Sequence, residues 1–148
     1  MQIKTKTISV KTSKPGPEFI DITEKVLSFV QDSGLKNGLV AICSQHTTAA
    51  IKINEHEPLL IGDMEKFLKK IAKPNIYYAH NDFTIRTENM TANESKNGHS
   101  HCQNLLLSAS ETRPVVDGEL QLGRWQRIFL VELDHARDRD VIVQIMGE

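Results

Sequence analysis

Two strand-like segments separated by a short polar stretch place the strongest constraint on the fold of this chain. Residues 38–43 form an apolar run, and residues 49–54 end in an alternation of apolar and polar side chains. Both patterns are typical of β-strands. The polar stretch between them contains His46, Thr47 and Thr48, so a histidine and two hydroxyls are predicted to lie where two strands meet. Binding and catalytic groups are commonly held on a rigid frame of this kind.

Further strands and two or three helices are predicted for the rest of the chain. Strand patterns cover residues 2–11, 19–22, 126–133 and 141–145. The Asp117-Gly118 step is typical of a tight hairpin. Helical spacing extends from a cap at Asp21 or Thr23 to Gly34, from Pro58 to about Ala72, and from His101 to Ser108, where three leucines need burial. Strands dominate, so the sequence predicts an α+β fold in which two or three helices cover one face.

Length and composition limit the class of protein. The 148 residues suit one ordinary domain, predicted to span residues 1–148, and 39% hydrophobic with 25% charged residues is typical of globular proteins. The formal charge of −1 gives no net attraction to nucleic acid or to an anionic membrane, so neither is expected as a partner. No apolar run approaches the roughly 18 residues of a membrane span, and residues 1–6 contain no signal-peptide core. We therefore expect a cytoplasmic protein whose two cysteines are not paired.

Two polar segments lie outside the predicted elements. Residues 73–98 lack a sustained period, and His80 near the start and His99 just past the end favour a functional loop over a disordered one. Residues 134–140 are predicted to form a charged turn that contains Arg137 and Arg139. These two arginines are candidates for anion binding, and the alternative is that they are ordinary exposed turn residues.

The histidines are the first candidates for chemistry. In His99-Ser100-His101 both rings would reach one ion only on an extended segment, because side chains two residues apart diverge on a helix. His46, His80 and His101 lie on separate segments, and three imidazoles brought together would form a metal site of catalytic type with one position open. The alternative is that these histidines hydrogen-bond to loop backbone. The sequence leaves open whether His99 or Cys102 joins the site.

Other polar residues could serve the same site. Thr47 and Thr48 could orient a ligand or hold a phosphate oxygen, and Glu55 could act as a general base or support a histidine. Trp125 follows Gly123-Arg124 and could line a pocket. The alternatives are β-propensity for the threonines, a helix cap or surface acid for Glu55, and a core position for Trp125. The sequence contains no Walker-type loop, dinucleotide fingerprint or nucleophile elbow.

Four segments match the signature motifs of a known family in the same order. They are His46-Thr47-Thr48-Ala49-Ala50-x-x-Ile53-Asn54-Glu55, Asn97-Gly98-His99-Ser100-His101, Asp117-Gly118-Glu119-Leu120-Gln121-Leu122-Gly123-Arg124-Trp125-Gln126 and Arg137-x-Arg139-x-Val141. On these residues the chain resembles the YjbQ family, whose members are known as secondary thiamine-phosphate synthases. Because the likeness spans nearly the whole chain, it is more specific than any single motif.

The resemblance implies a β-sandwich core, a homotrimer and a histidine-lined site. It implies an enzyme that joins a hydroxymethylpyrimidine diphosphate to a thiazole phosphate and releases pyrophosphate, as a secondary activity beside an unassigned primary role. A divalent metal on the histidines, either zinc or magnesium or manganese, would bind the leaving pyrophosphate with help from Arg137 or Arg139, and Glu55 would handle a proton. The expected substrate is a phosphorylated small molecule, and no organic cofactor is expected.

Three sets of residues are therefore expected to carry the function. The metal ligands are His46, His80 and His101; the catalytic residues are Glu55, His46 and Arg139; the ligand-binding residues are Thr47, Thr48, Asn54, Trp125 and Arg137. Three imidazoles suit zinc better than magnesium, which prefers oxygen ligands, so a zinc-type hydrolase of a small ester, amide or phosphate is a rival interpretation. A non-catalytic metal- or ligand-binding trimer is the third.

Overall fold

Eight strands form two antiparallel sheets in the computed structural model, which describes residues 1–148. The strands are β1 (Gln2–Lys11), β2 (Glu18–Asp21), β3 (Gly38–Ser44), β4 (Ala49–Glu55), β5 (Ser110–Val116), β6 (Glu119–Leu120), β7 (Gln126–Glu132) and β8 (Asp138–Gly147). One sheet has five strands in the order β1-β8-β3-β5-β6, and the other has three in the order β2-β7-β4. The predicted α+β fold with two facing layers of strands is confirmed.

The main core lies between the two sheets, and its centre is strand β7. Ile128 and Leu130 point into this core, whereas Phe129 and Val131 point to the opposite face of the three-stranded sheet, where they meet Leu68. These four residues at the centre of β7 are fully buried, because helices or strands cover both faces of the strand. This two-sided burial explains why residues 128–131 are continuously apolar rather than alternating.

Three helices complete the fold. They are α1 (Thr23–Ser33), α2 (Pro58–Ile71) and α3 (Gly98–Asn104). Helix α1 buries Val26, Phe29 and Val30 in the main core and ends, as predicted, at Gly34, which adopts a left-handed φ of 68°. Helix α2 covers the outer face of the three-stranded sheet, and Pro58 occupies its first turn. None of the helices has the length and apolarity needed to cross a membrane.

Helix α3 differs from its prediction in position and in what it buries. It begins at Gly98 rather than His101, and Leu105 and Leu106, which were expected to be buried, are 83% and 52% exposed. The helix is fixed instead by polar contacts, since the Gln103 side-chain amide donates to the carbonyls of Leu68 and Ala72. Apolar content was therefore a poor guide to this segment. The long polar loop before it contains one 3₁₀ turn, Ala79–Asn81.

The predicted hairpin at Asp117-Gly118 is confirmed, whereas the charged turn is shorter than predicted. Asp117 and Gly118 have φ angles of 53° and 84°, the two positive values that a tight two-residue connection between β5 and β6 requires. Strand β8 begins at Asp138, so Arg139 belongs to the sheet rather than to a turn. Arg139 is 3% exposed, because its side chain forms an ion pair with the buried carboxylate of Glu132 at the end of β7.

Two crossings between the sheets define one end of the molecule. Residues 45–48 carry the chain from β3 in one sheet to β4 in the other, and residues 133–137 carry it back from β7 to β8. Ser44 of β3 pairs with Val141 of β8, and Ala49 of β4 pairs with Glu132 of β7. The two crossings therefore run side by side between the same two pairs of neighbouring strands. The Leu133 N–H donates to the Thr48 carbonyl at 3.0 Å and joins them directly.

The backbones of β3 and β8 approach closely at the paired residues Gly38 and Gly147. A Cβ atom at Gly38 would collide with the carbonyl oxygen of Met146, whereas a Cβ at Gly62, inside α2, would have no atom within 4 Å. We expect Gly38→Ala to lower the free energy of unfolding by about 1–3 kcal/mol through overpacking. The control Gly62→Ala should raise it by about 0.5–1 kcal/mol through helix propensity. Urea denaturation followed by circular dichroism measures both, and equal effects would contradict the close approach.

Candidate functional site

A polar cleft of about 610 Å³ opens where the two crossings meet the long loop before α3. Its sixteen lining residues include no hydrophobic side chain. The lining residues are Gln45, His46, Thr47, Thr48, His80, Arg86, Asn89, Thr91, Asn93, Glu94, Ser95, Asn97, His101, His135, Arg137 and Arg139. All three histidines predicted as ligands, both threonines and both predicted arginines therefore line one cleft.

The base of the cleft is a buried ion pair between Arg139 and Glu132. The Arg139 Nε and Nη2 atoms donate to the two carboxylate oxygens of Glu132, each at 2.6 Å, and the side chains are 3% and 0% exposed. Nη2 also donates to the Thr48 hydroxyl at 3.0 Å, and the Asp134 N–H donates to Glu132 Oε1 at 2.9 Å. The Arg139 Nη1 group makes no hydrogen bond within the protein, so its donors remain available to the cleft.

A second carboxylate holds the second arginine. Asp134 accepts from Arg137 Nη2 at 2.6 Å and from the Asn97 side-chain amide at 2.9 Å. Burial by itself would raise the pKa of Asp134, but the hydrogen bonds from Asn97 and His135 and the charge of Arg137 outweigh it and lower the pKa. Asp134 is therefore ionised at neutral pH, and it fixes the crossing at residues 133–137 to the start of α3.

His80 and His101 form a close pair that lines the same cleft. Their ring centroids are 4.6 Å apart, and the ring planes meet at 67°. His80 lies in the 3₁₀ turn, whose Asn81 side chain accepts from the Gly98 N–H at 2.8 Å and so fixes the turn to α3. Burial lowers the pKa of His101, and the nearby His80 lowers it further. His101 is thus neutral near pH 7 and can offer a nitrogen lone pair.

The loop beyond His80 is held by Arg86. Its guanidinium donates to the carbonyls of His80, Glu88 and Asn89, and it pairs with the Glu94 carboxylate at 3.0 Å. The side chain of Arg86 thereby connects residues between 80 and 94 to one another. This arrangement gives a polar loop without regular structure a fixed shape along the edge of the cleft.

His80 and His101 are the side chains of the cleft that could contribute imidazole nitrogens to a bound metal ion. The Nε2 atom of His80 is buried and has no hydrogen-bond partner, and the His101 ring lies beside it. An unpartnered imidazole nitrogen in a polar cleft suits a bound ligand. No three His, Cys, Asp or Glu side chains are grouped so that they could hold one ion. The chain therefore offers two imidazoles, and water or substrate oxygens would fill the other positions.

Helix α3 separates the two histidines of the His99-Ser100-His101 motif. His101 faces His80, whereas His99 lies near Tyr78 in a different cleft on the other side of the helix. The two side chains diverge as expected for residues two apart on a helix. Cys102 is exposed and does not line the histidine cleft. Neither His99 nor Cys102 is therefore placed to share an ion with His80.

Glu55, Asn54 and Trp125 are not brought to the histidine cleft. Glu55 and Trp125 line a second cleft of about 510 Å³ at the opposite end of β4, and Asn54 is exposed beside it. In this second cleft Asp21 accepts from His56 Nδ1 at 2.9 Å and from Arg127 Nε at 2.8 Å. Burial opposes ionisation of Asp21, but hydrogen bonds from Thr23 and Arg127 lower its pKa to about 2. The seven-residue strand between the two ends keeps them apart.

The two buried carboxylates were missed by the sequence interpretation. Glu132 and Asp134 are two residues apart along the chain, as are Arg137 and Arg139. Asp134 pairs with Arg137, and Glu132 pairs with Arg139 on either side of them. This arrangement of opposite charges around a short turn is the signal that could have identified them. Glu132 was hidden because it directly follows an apolar run within the strand pattern predicted over residues 126–133.

The chain is similar to members of one protein family both in sequence and in structure. A family described as UPF0047 protein YjbQ-like matches residues 6–148. A UPF0047 protein of Methanothermobacter thermautotrophicus is 36% identical over 148 residues, covering 100% of this chain and 95% of the relative. Another relative, the UPF0047 protein YjbQ of Escherichia coli O157:H7, is 32% identical and covers 98% of this chain and 97% of the relative.

A solved structure shares the whole fold. A YbjQ-like protein from Sulfolobus solfataricus, described as being of unknown function, superposes with a TM-score of 0.83 at 37% identity. The match covers 99% of this chain and 100% of the other. The likeness therefore includes both sheets and the crossings that form the cleft.

We expect Glu132→Gln to lower the free energy of unfolding by about 3 kcal/mol or more, because it leaves Arg139 buried without its counter-charge. A matched control is Glu111→Gln, which removes the partly exposed ion pair with Lys52 at 3.4 Å and should cost less than about 1 kcal/mol. Chemical denaturation of both variants gives the comparison. Similar small losses would show that the buried pair contributes little to stability.

Proposed function

The chain belongs to the UPF0047 YjbQ-like family, and from the geometry of the cleft we propose that it is an enzyme acting on a small phosphorylated substrate. The observation that carries this proposal is the pair of arginines, Arg137 and Arg139, each fixed by a buried carboxylate in a cleft without hydrophobic lining. Guanidinium groups held in this way present directed donors, which suit phosphate oxygens.

Directed donors matter more here than net charge. Glu132, Asp134 and Glu94 balance the arginines of the cleft, so no large positive field surrounds it. A bound anion would be recognised through unused N–H groups, such as Nη1 of Arg139, and through the Thr47 hydroxyl on the exposed rim. Recognition by preorganised hydrogen bonds favours a specific phosphate ester over any polyanion.

The proposed cofactor is a divalent metal ion held by His80 and His101. Imidazole ligands favour zinc, and magnesium or manganese would depend more on oxygen atoms from water and substrate. When bound, the ion would supply Lewis-acid stabilisation of a leaving phosphate or pyrophosphate group. The chain's own part is to hold the phosphate oxygens with Arg137 and Arg139.

The reaction proposed on the family resemblance is a secondary thiamine-phosphate synthase activity. It joins a hydroxymethylpyrimidine diphosphate to a thiazole phosphate and releases pyrophosphate. Arg139 and Arg137 would bind the departing pyrophosphate oxygens and stabilise the charge that develops on them. Glu55 lies in the second cleft, so the scheme assigns it no proton transfer at the histidines.

A zinc-type hydrolase of a small phosphate ester is the second candidate. The adjacent imidazoles of His80 and His101, one with a buried unpartnered nitrogen, favour it because zinc hydrolases use such ligands with open positions for water. The two candidates share the anion site and differ in the acceptor of the transferred group.

Both candidates can be tested on one set of proteins: wild type, His80→Ala, His101→Ala and the control His99→Ala. His99 and His101 are two residues apart on α3 but face different clefts. We expect wild type to bind one zinc ion, the first two variants to lose at least about tenfold in zinc affinity, and the control to retain it. Calorimetric titration of metal-stripped protein measures this affinity.

Turnover then separates the reactions. Release of pyrophosphate only when both the pyrimidine diphosphate and the thiazole phosphate are present supports the synthase. Release of phosphate from a single ester supports the hydrolase. If wild type shows neither turnover nor binding of inorganic pyrophosphate, the proposed function is wrong.

A homotrimer is the proposed assembly, and the uncovered face of the five-stranded sheet supports it. Ile3, Met146 and Leu39 stand in one row across β1, β8 and β3 on the face away from the core, and Leu39 is 48% exposed. No helix covers this row. An uncovered sheet face with exposed apolar residues is a common site of subunit contact.

We expect the wild-type protein to have three times the 16.7 kDa mass of one chain, and Leu39→Lys to shift it to the monomer. Ile85→Lys places the same charge at an exposed apolar residue of the long loop and should leave the mass unchanged. Light scattering after size-exclusion chromatography gives these masses. A wild-type mass of one chain would rule out the trimer.

A further inference from the structure

One hydrogen bond determines which nitrogen of His46 carries a proton. The backbone N–H of Asp140, on β8, donates to His46 Nε2 at 3.1 Å. A nitrogen that accepts this bond has no proton, so the neutral ring carries its proton on Nδ1. Burial lowers the pKa of His46, and the nearby charge of Arg139 lowers it further. The neutral form with a donor at Nδ1 is therefore the form that the surroundings favour.

The Nδ1 atom of His46 is available to a ligand. It has no hydrogen-bond partner within the protein, and it is not among the buried unpartnered atoms. His46 lines the cleft together with Thr48 and Arg139, whose Nη1 group is also unbonded. This wall of the cleft thus carries N–H donors from two side chains. Such donors suit an oxyanion and not a metal cation.

We propose that His46 is a binding residue for a phosphate-class anion, to which its Nδ1–H donates, and that it is not a metal ligand. This role rests on the proposed function of the cleft and divides the three predicted histidines. His80 and His101 remain the proposed metal ligands, whereas His46 offers the proton on Nδ1. Use of His46 Nε2 by a metal ion would leave the Asp140 N–H without its acceptor, and use of Nδ1 would require the loss of its proton.

Two substitutions separate the two nitrogens of the ring. In His46→Gln the side-chain carbonyl reaches the position of Nε2 and can accept from Asp140, but the donor at Nδ1 is lost. In His46→Asn the side-chain amide stands near the position of Nδ1 and keeps a donor, while the bond to Asp140 is lost. The pair therefore distinguishes anion binding from support of the backbone.

Binding of inorganic pyrophosphate to the metal-stripped full chain is measured by calorimetry. We expect His46→Gln to weaken it about tenfold, as loss of a hydrogen bond to a charged group implies, and His46→Asn to weaken it by at most about twofold. Zinc affinity should be the same in wild type and both variants. Equal pyrophosphate affinity in wild type and His46→Gln would overturn the role, and so would a loss of zinc affinity in His46→Gln.

Nitrogen NMR of the imidazole rings in the wild-type protein gives a second readout that needs no variant to fold. We expect His46 in the Nδ1–H form, shifted by pyrophosphate, and His80 and His101 shifted by zinc. A zinc-induced shift of the His46 nitrogens would overturn the role. If pyrophosphate binds but leaves His46 unshifted, only this role fails; if pyrophosphate does not bind at all, the proposed anion site fails with it.

Discussion

The buried ion pair between Glu132 and Arg139 is the interaction on which the functional end of the molecule depends. Removing both charges from water is costly, and only paired, hydrogen-bonded geometry offsets that cost. Here the Arg139 guanidinium donates to both carboxylate oxygens of Glu132 and also to the hydroxyl of Thr48. One pair therefore ties the end of β7, the start of β8 and the crossing into β4 together.

The same arrangement explains how a cleft with several cations can remain ordered. Arg139, Arg137 and Arg86 each have a carboxylate partner, so their mutual repulsion is balanced locally. Each arginine is nevertheless held by only part of its donor set. The guanidinium groups are thus held in fixed orientations, which is the property that preorganised polar sites use for recognition.

The position of each histidine follows from the backbone beside it. Helix α3 turns His101 toward His80 and His99 away, because side chains two residues apart on a helix point in different directions. The Asp140 N–H, on β8, fixes the ring of His46. The three histidines of one cleft are thus held differently, since only the His46 ring accepts a hydrogen bond from the backbone.

The sequence by itself determined the α+β class, the strands β3, β4, β7 and β8 and the Asp117-Gly118 hairpin, because periodicity and turn chemistry are local signals. Local signals could only suggest that His46, His80 and His101 belong together, and it is the packing of the fold that brings them into one cleft. Only the tertiary structure decided that Arg139 is buried on Glu132, that Leu105 and Leu106 are exposed, and that Glu55 and Trp125 lie in another cleft. These features depend on which residues, distant along the chain, become neighbours when the two sheets pack. Burial and charge pairing are properties of that packing, and no window of sequence contains them.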